Sequence, residues 1–465
     1  MGAGAGASGI VRIGSGAGFA GDRRDAAVPV VEMLSTLDGP RFLIFETLAE
    51  RTLALCQLAR RRDPEAGYSP ALEGFLAPVL DRCLKSGIRI VGNFGAANPT
   101  AAARRVAAMA RTLGHAPVIA VVDGANLAGR LDPEGFAARE VGGRILAGLS
   151  APVSADAYLG ARPIADALDA GADIVVTGRV ADPALALGPL MHAFGWRDDD
   201  WDLLAAGTLA GHLLECGSQV SGGYFADPGI KDVPGLDEVG FPVAEIAADG
   251  TFVIGKPPGT GGRIDRFTVT EQILYEIHDP AAYLTPDVVL DVTGVRVAEV
   301  GADRVRVSGA RGRPRPETLK ATVCVEAGVL AEAEISYAGP GAAGRARLAA
   351  DVVLARLARR APGLAVRVDA VGIASLFNDT AGATLAAAFP ESRAEDVRLR
   401  FSAQSTDAAA LSLLLDEVEA LYCAGPAGGA GVRRHLTPRL ASASCLVERD
   451  LVAPKMSLLG PEAAP

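Results

Sequence analysis

Phe42-Leu43-Ile44-Phe45-Glu46-Thr47-Leu48-Ala49-Glu50-Arg51 is four apolar residues in a row, a polar turn and the opening of a helix. A run with no apolar/polar alternation is what a strand covered on both faces requires. Four other stretches repeat the pattern. Residues 10–13 open into Gly14-Ser15-Gly16-Ala17-Gly18-Phe19-Ala20-Gly21-Asp22, and residues 88–91 into Asn93-Phe94-Gly95-Ala96-Ala97-Asn98-Pro99. Residues 118–122 lead to Asp123-Gly124-Ala125-Asn126, and residues 174–176 to Thr177-Gly178-Arg179-Val180-Ala181-Asp182-Pro183. Buried strands alternating with helices predict a mainly parallel, doubly wound, Rossmann-like α/β sheet. A distorted (β/α) barrel is the alternative, because periodicity does not separate an open sheet from a closed one. In an open sheet of this kind ligands bind at the carboxyl ends of the strands. Glu46, Arg51, Asn93, Asn98, Arg179 and Asp182, far apart in sequence, thereby become candidates for one site.

The 465 residues exceed what one core supports, so two or three domains are expected. The texture divides the chain into a parallel α/β domain at 9–226, a β-rich segment with a glycine-rich loop at 227–345, and a smaller C-terminal α/β region at 346–459. Within the middle segment, strands are expected over 243–254, 288–292, 305–307, 321–325 and 331–336. Helices are expected over 202–214, 346–360 and 408–421, with strands near 365–372 and 397–402. Residues 432–440 read as a further helix.

Hydrophobic residues make up 49% and charged residues 22%, an ordinary globular balance. A net charge of −10 and a pI near 5.2 argue against nucleic acid as the main partner. Six widely spaced cysteines without a C-x-x-C fit a reducing cytoplasm. No apolar run approaches the roughly 18–20 residues of a membrane span. The Gly/Ala leader, residues 1–8, carries no basic residue and reads as a disordered tail rather than a secretory signal.

Several motifs admit two readings. Gly16-Ala17-Gly18-Phe19-Ala20-Gly21 matches the dinucleotide pattern G-x-G-x-x-G, yet the spacing to Glu46 is long and Asp22 and Asp25 stand where a pyrophosphate would want no acid, so a tight turn is the stronger reading. Thr47-Leu48-Ala49-Glu50 spells a capping box, which gives Glu50 a structural role. Glu46 has none, and a carboxylate at the end of a buried strand is costly without water, a cation or a ligand. Arg51, one turn along, is the local candidate partner. Asn98-Pro99 and Asp182-Pro183 read as helix caps followed by an N1 proline. Arg179, beside helix starts, suits an anionic group.

His212 stands one helical turn from Glu215 and Cys216. The trio could activate a thiol or hold zinc, although a helix C-terminus disfavours a thiolate. The loop that follows, with Gly222 and Gly223, is rich in donors. Thr260, Gly261 and Gly262, ahead of Arg263 and Arg266, could cradle an anion or serve as a hinge before a helix whose start is marked by Thr268 and Glu271.

Together, the loops around Glu46, Asn93 and Arg179, the run His212-Leu213-Leu214-Glu215-Cys216-Gly217 through Gly222-Gly223, and Gly259-Thr260-Gly261-Gly262 resemble the acyclic terpene utilisation proteins of the AtuA type over residues 9–459. The family is similar to proteins found with geraniol and citronellol breakdown, where acyl-CoA thioesters are carboxylated, hydrated and cleaved. The resemblance assigns no residue roles. Some relatives carry an extra small ferredoxin-like C-terminal domain, which implies a separate subunit here if the function needs it.

Residues and resemblance combine into an expected cytoplasmic enzyme acting on a branched acyl-CoA or carboxylated substrate by acid–base chemistry, through hydration, dehydration or carbon–carbon cleavage. Glu46 would be the acid or base, with Asn93 and Arg179 on the carbonyl or carboxylate and the Gly261-Gly262 region on the CoA phosphates. Glu50, Asp182, His212 and Cys216 complete the catalytic candidates. Gly16, Gly18, Gly21, Asn98, Gly222, Gly223 and Thr260 join the ligand-binding ones. No firmly bound cofactor is expected, though a metal stays open. The alternatives are an NAD(P)- or flavin-dependent oxidoreductase and a non-catalytic partner subunit of an acyl-CoA pathway. A homo-oligomer, by base rate a dimer, is expected.

Overall fold

The computed structural model describes residues 9–148 and 151–460. The leader, residues 1–8, lies outside them. The five apolar runs form Val11–Ala17, Arg41–Phe45, Arg89–Gly92, Ile119–Asp123 and Ile174–Thr177, all mutually parallel. In space the fifth lies between the third and the fourth. Their inward residues, among them Leu43, Phe45, Ile90, Val121 and Val176, pack with Val30, Leu34, Phe75 and Val106 of the crossover helices. Burial on both faces is why these segments read as unbroken apolar runs.

Parallel pairing accounts for only part of the sheet. Val243–Ile246 adds antiparallel to the first strand, followed outward by Phe252–Gly255, Arg304–Ser308 and Arg296–Gly301. Lys455–Leu458 adds antiparallel to Ile119–Asp123 at the other edge. Among the described residues the result is a ten-stranded mixed sheet, open at both ends, and not a closed barrel. Strands placed by sequence in a separate β-rich segment thus extend the parallel sheet, because a hairpin pairs with any exposed strand edge regardless of sequence distance.

The chain divides into two compact units, residues 1–325 with 442–465, and residues 326–441. In the second unit, residues 329–338 and Arg367–Val371 flank Asp396–Ser405 in antiparallel register. The helices Ala342–Arg360 and Ala408–Glu419 bury Ala346, Val353, Leu411 and Leu414 in a core with Ile335 and Phe401. The chain passes between units within Thr318–Ala338, a single 21-residue strand where the sequence suggests two. Residues 432–440 also correct the sequence reading, lying inside the strand Ala430–Glu448 rather than a helix. Among the described residues no helix is long and apolar enough to cross a membrane, and all six cysteines are free.

Candidate active site

Register decides what meets at the sheet edge. Phe45 pairs with Gly92, and Gly92 with Val176. The next residues along these three adjacent strands are therefore Glu46, Asn93 and Thr177, level with one another, with Arg179 two positions on. Asn93 acts as a clamp: its Nδ2 donates to Glu46 Oε1 at 2.9 Å, and its Oδ1 accepts from the Thr47 amide at 2.7 Å. Glu46 Oε1 also accepts from the Leu48 amide at 2.7 Å. From the other side Arg179 Nη1 donates to the Leu48 carbonyl. Leu48 thus bridges acid and guanidinium through its own peptide groups.

Arg179 is only 2% exposed and is the largest fully buried side chain described. Its Nε donates to the Val180 carbonyl at 2.8 Å, its Nη2 to the same carbonyl and to Asp182 Oδ1, and its guanidinium carbon lies 4.3 Å over the Tyr158 ring. Tyr158 donates to Glu50 Oε1 at 2.6 Å, and Lys320 Nζ is 3.5 Å from the same oxygen. Glu46 and Arg179 form the buried end of this network. Asp182, Glu50 and Lys320, with side chains 34%, 38% and 49% exposed, form its wet end.

The electrostatics follow from this layering. Burial, with repulsion from Asp182, pushes the Glu46 carboxyl up to about 8, against Arg179 and the hydrogen bonds of Asn93 and Leu48. Burial works against the charge of Arg179, but Asp182, Tyr158, Glu46 and Glu50 outweigh it and hold the guanidinium above its ordinary value. For Glu50, desolvation is overcome by the Tyr158 hydrogen bond and by the Lys320 and Arg179 charges, so its carboxyl falls below the usual range. A neutral acid and an ionised one therefore share one network, the division of roles that acid–base sites use.

Local details correct several sequence readings. Arg51 is exposed, and the cation nearest Glu46 in effect is Arg179, supplied by another strand. Thr47 does not cap: the helix Glu50–Arg62 starts after Ala49 without a side-chain cap, and Thr47 Oγ1 contacts Asn93 Oδ1 at 3.3 Å. Glu50 therefore loses its capping explanation and belongs to the site network. Asp182 pairs with Arg179 instead of capping the helix that starts at Ala184. Asn98 is a true cap, accepting from the Ala101 amide at 3.3 Å, and its Nδ2 is spent on the Pro64 and Ala66 carbonyls.

The glycine loops are occupied by their own structure. The Gly18 amide donates to Asp22 Oδ2 at 2.8 Å, and Gly18 lies flat against the peptide joining Cys216 and Gly217. Side chains at Gly16 and Gly21 would meet the rings of Phe45 and Phe19. The helix after this loop begins only at Ala27. The Gly222 and Gly223 amides donate to the Gln219 and Ser218 carbonyls, and those of Gly261 and Gly262 to Glu238 and Pro234. The Thr260 hydroxyl bonds the Pro257 carbonyl at 2.7 Å. The following helix is capped by Asp265, with Thr268 at N3 completing the box, one turn earlier than the sequence suggests. Gly18→Ala should cost about 1–3 kcal/mol by overpacking against backbone that has no rotamer to yield; urea denaturation against the wild type measures it.

His212 and Glu215 form a buried pair, Nδ1 to Oε1 at 3.0 Å. Burial pushes Glu215 up and His212 down, which favours the neutral pair. Among the described residues, His212 Nε2 and Glu215 Oε2 have no hydrogen-bond partner. Burial, with the nearby acids Glu215 and Glu276, also raises the Cys216 thiol, so it is not poised as a thiolate. Among the described residues, no three His, Cys, Asp or Glu side chains converge on a metal-sized site.

The family model for the acyclic terpene utilisation protein AtuA matches residues 11–458, nearly the full chain. The chain belongs to this family. No curated protein and no solved structure matches it. Membership in the acyclic terpene utilisation family bears out the resemblance carried by the loops around Glu46, Asn93 and Arg179, and leaves the reaction open. Sequence reasoning missed two members of the network, Tyr158 and Lys320. Tyr158 follows the strand Ser154–Ala157, whose sequence Ser-Ala-Asp-Ala lacks the apolar run that marked the others. In sequence it stands two positions from Asp156, a carboxyl that burial lifts to about 6.

Proposed function

We propose that this member of the acyclic terpene utilisation family is an enzyme that moves a proton on a branched acyl-CoA or carboxylated substrate, with Glu46 as the acid–base group. The observation that carries the reading is the buried Glu46 carboxyl held near 8 between Asn93 and Arg179. A group whose proton is exchangeable near neutrality is matched to general acid–base work. Asn93 and Arg179 act by positioning and tuning Glu46, because their polar atoms are already bound to Glu46, Thr47, Leu48, Val180 and Asp182. This differs from a role in holding the substrate carbonyl.

The wetter groups Asp182, Glu50 and Lys320 face the arriving substrate. Hydration, dehydration or carbon–carbon cleavage next to a carbonyl each needs such a proton transfer. Six free cysteines support a cytoplasmic location within this reading. Turnover of a panel of branched enoyl- and 3-hydroxyacyl-CoAs by wild type and Glu46→Gln tests it. Turnover by the wild type that collapses in the variant supports the reading. Equal rates remove Glu46 from the chemistry, and a wild type inactive on the whole panel that instead captures a stoichiometric partner favours the scaffold alternative.

A further inference from the structure

Outside the Glu46 network, the first unit holds an open groove of about 1040 Å3 whose walls come from residues between Phe225 and Val297. Small-molecule sites are of this size or smaller. Its floor is unusually apolar for a surface: Phe267 is 54% exposed and Leu274 50%, next to the ring of Phe225. Exposed apolar area gathered in a concavity marks binding more often than chance.

Cations edge the same groove. Lys231 Nζ lies 4.6 Å over the Phe225 ring and the Arg266 guanidinium 4.5 Å over Phe267. Lys231 is paired with Glu271 and Arg263 with Asp265. Arg266 is exposed, and among the described residues its guanidinium makes no ion pair, although its amide donates to Glu299 Oε1 at 3.2 Å. A guanidinium without a direct ion pair beside exposed apolar rings is complementary to a molecule with an anionic head and an apolar body.

The groove also adjoins the buried cluster. Glu276, in its wall and at a left-handed φ of 59°, acts electrostatically on Cys216, and so does Glu46. The thiol therefore lies within charge range of both places.

We propose that this groove binds an anionic amphiphile, an acyl chain ending in a carboxylate or a phosphate, with Arg266 on the head and Phe225, Phe267 and Leu274 along the chain. The inference adds a binding site to the acid–base reading, and it rests on that reading only for the claim that the bound molecule is the one transformed.

Fluorescence titration of the full chain with 1-anilinonaphthalene-8-sulfonate, displaced by decanoate, decyl phosphate or decanol, tests it. Both anions should displace the probe, and decanol should do so at least about tenfold more weakly, as loss of one charge-assisted contact implies. Decanoate ahead of decyl phosphate identifies a carboxylate head, and the reverse order a phosphate. Arg266→Glu should weaken the anions about tenfold and leave decanol unchanged. Phe267→Ser should weaken all three, with circular dichroism confirming that each variant folds. Decanol binding as well as the anions, or anion affinity unmoved by Arg266→Glu, would overturn the proposal. Probe binding retained in Glu46→Gln while turnover is lost keeps the two claims separable, and turnover that survives Arg266→Glu unchanged would detach the groove from the reaction.

Discussion

Arg179→Met is expected to destabilise the protein by about 3–5 kcal/mol, the cost of removing one partner from a buried charged network. Methionine fills similar volume, so packing loss is small and the effect is electrostatic. The variant leaves the Leu48 and Val180 carbonyls without their guanidinium donors and removes the positive charge next to Glu46 and Asp182. Leaving buried acceptors unmade costs their full desolvation. Arg179→Lys should recover only part, because an ammonium does not reach three acceptors in one plane. Urea denaturation of the three proteins measures this. A methionine variant within about 1 kcal/mol of wild type, the range of exposed ion pairs, would mean that the network does not depend on its cation.

Glu46→Gln is expected to move activity and stability in opposite directions. Loss of a positioned acid–base group lowers turnover by about 10²–10⁴-fold. Glutamine copies the protonated carboxyl, so the Leu48 and Asn93 contacts persist. The stability sign follows from linkage. A carboxyl raised in the folded state holds its proton there while the unfolded chain has already released it, so its contribution to stability is full below about 4.5. That contribution declines as pH rises to about 8. The slope is about 1.4 kcal/mol per pH unit across that window. Relative to its own baseline at pH 4, the glutamine variant should therefore gain on wild type up to pH 8 and no further. A dead yet alkaline-stabilised variant separates a tuned functional acid from a structural one.

The parallel strands were legible because burial on both faces leaves a mark in a single stretch of sequence. Glu46, Asn93 and Arg179 were legible for a related reason: each is a polar residue just beyond the end of such a run, where only a partner or a ligand justifies it. Their mutual contact follows from register, which aligns Phe45, Gly92 and Val176. What stayed hidden depended on pairing across distance. The cation of Glu46 comes from residue 179 rather than from neighbouring Arg51, and no local rule favours the distant one. Glu50 was misread because Thr47 found Asn93 before it could cap a helix. The strand from Ala430 to Glu448 overrode a helix-like composition around residues 432–440 because strand pairing is a tertiary choice. The glycine loops left two readings each: at Gly18, where a tight turn was the stronger one, the amide is bound to Asp22, and at Gly261 and Gly262, read as a cradle or a hinge, the amides are bound to the Glu238 and Pro234 carbonyls.

Everything functional turns on one proton, that of Glu46 at neutral pH. Carbon-13 labelling of glutamate side-chain carboxyls, with the Glu46 resonance assigned by its loss in Glu46→Gln, follows that proton directly through a pH titration. The account predicts a midpoint near 8 for that resonance. A Glu46 resonance that titrates near 4.5 would show an ordinary ionised carboxylate, and the acid–base reading would fail with it.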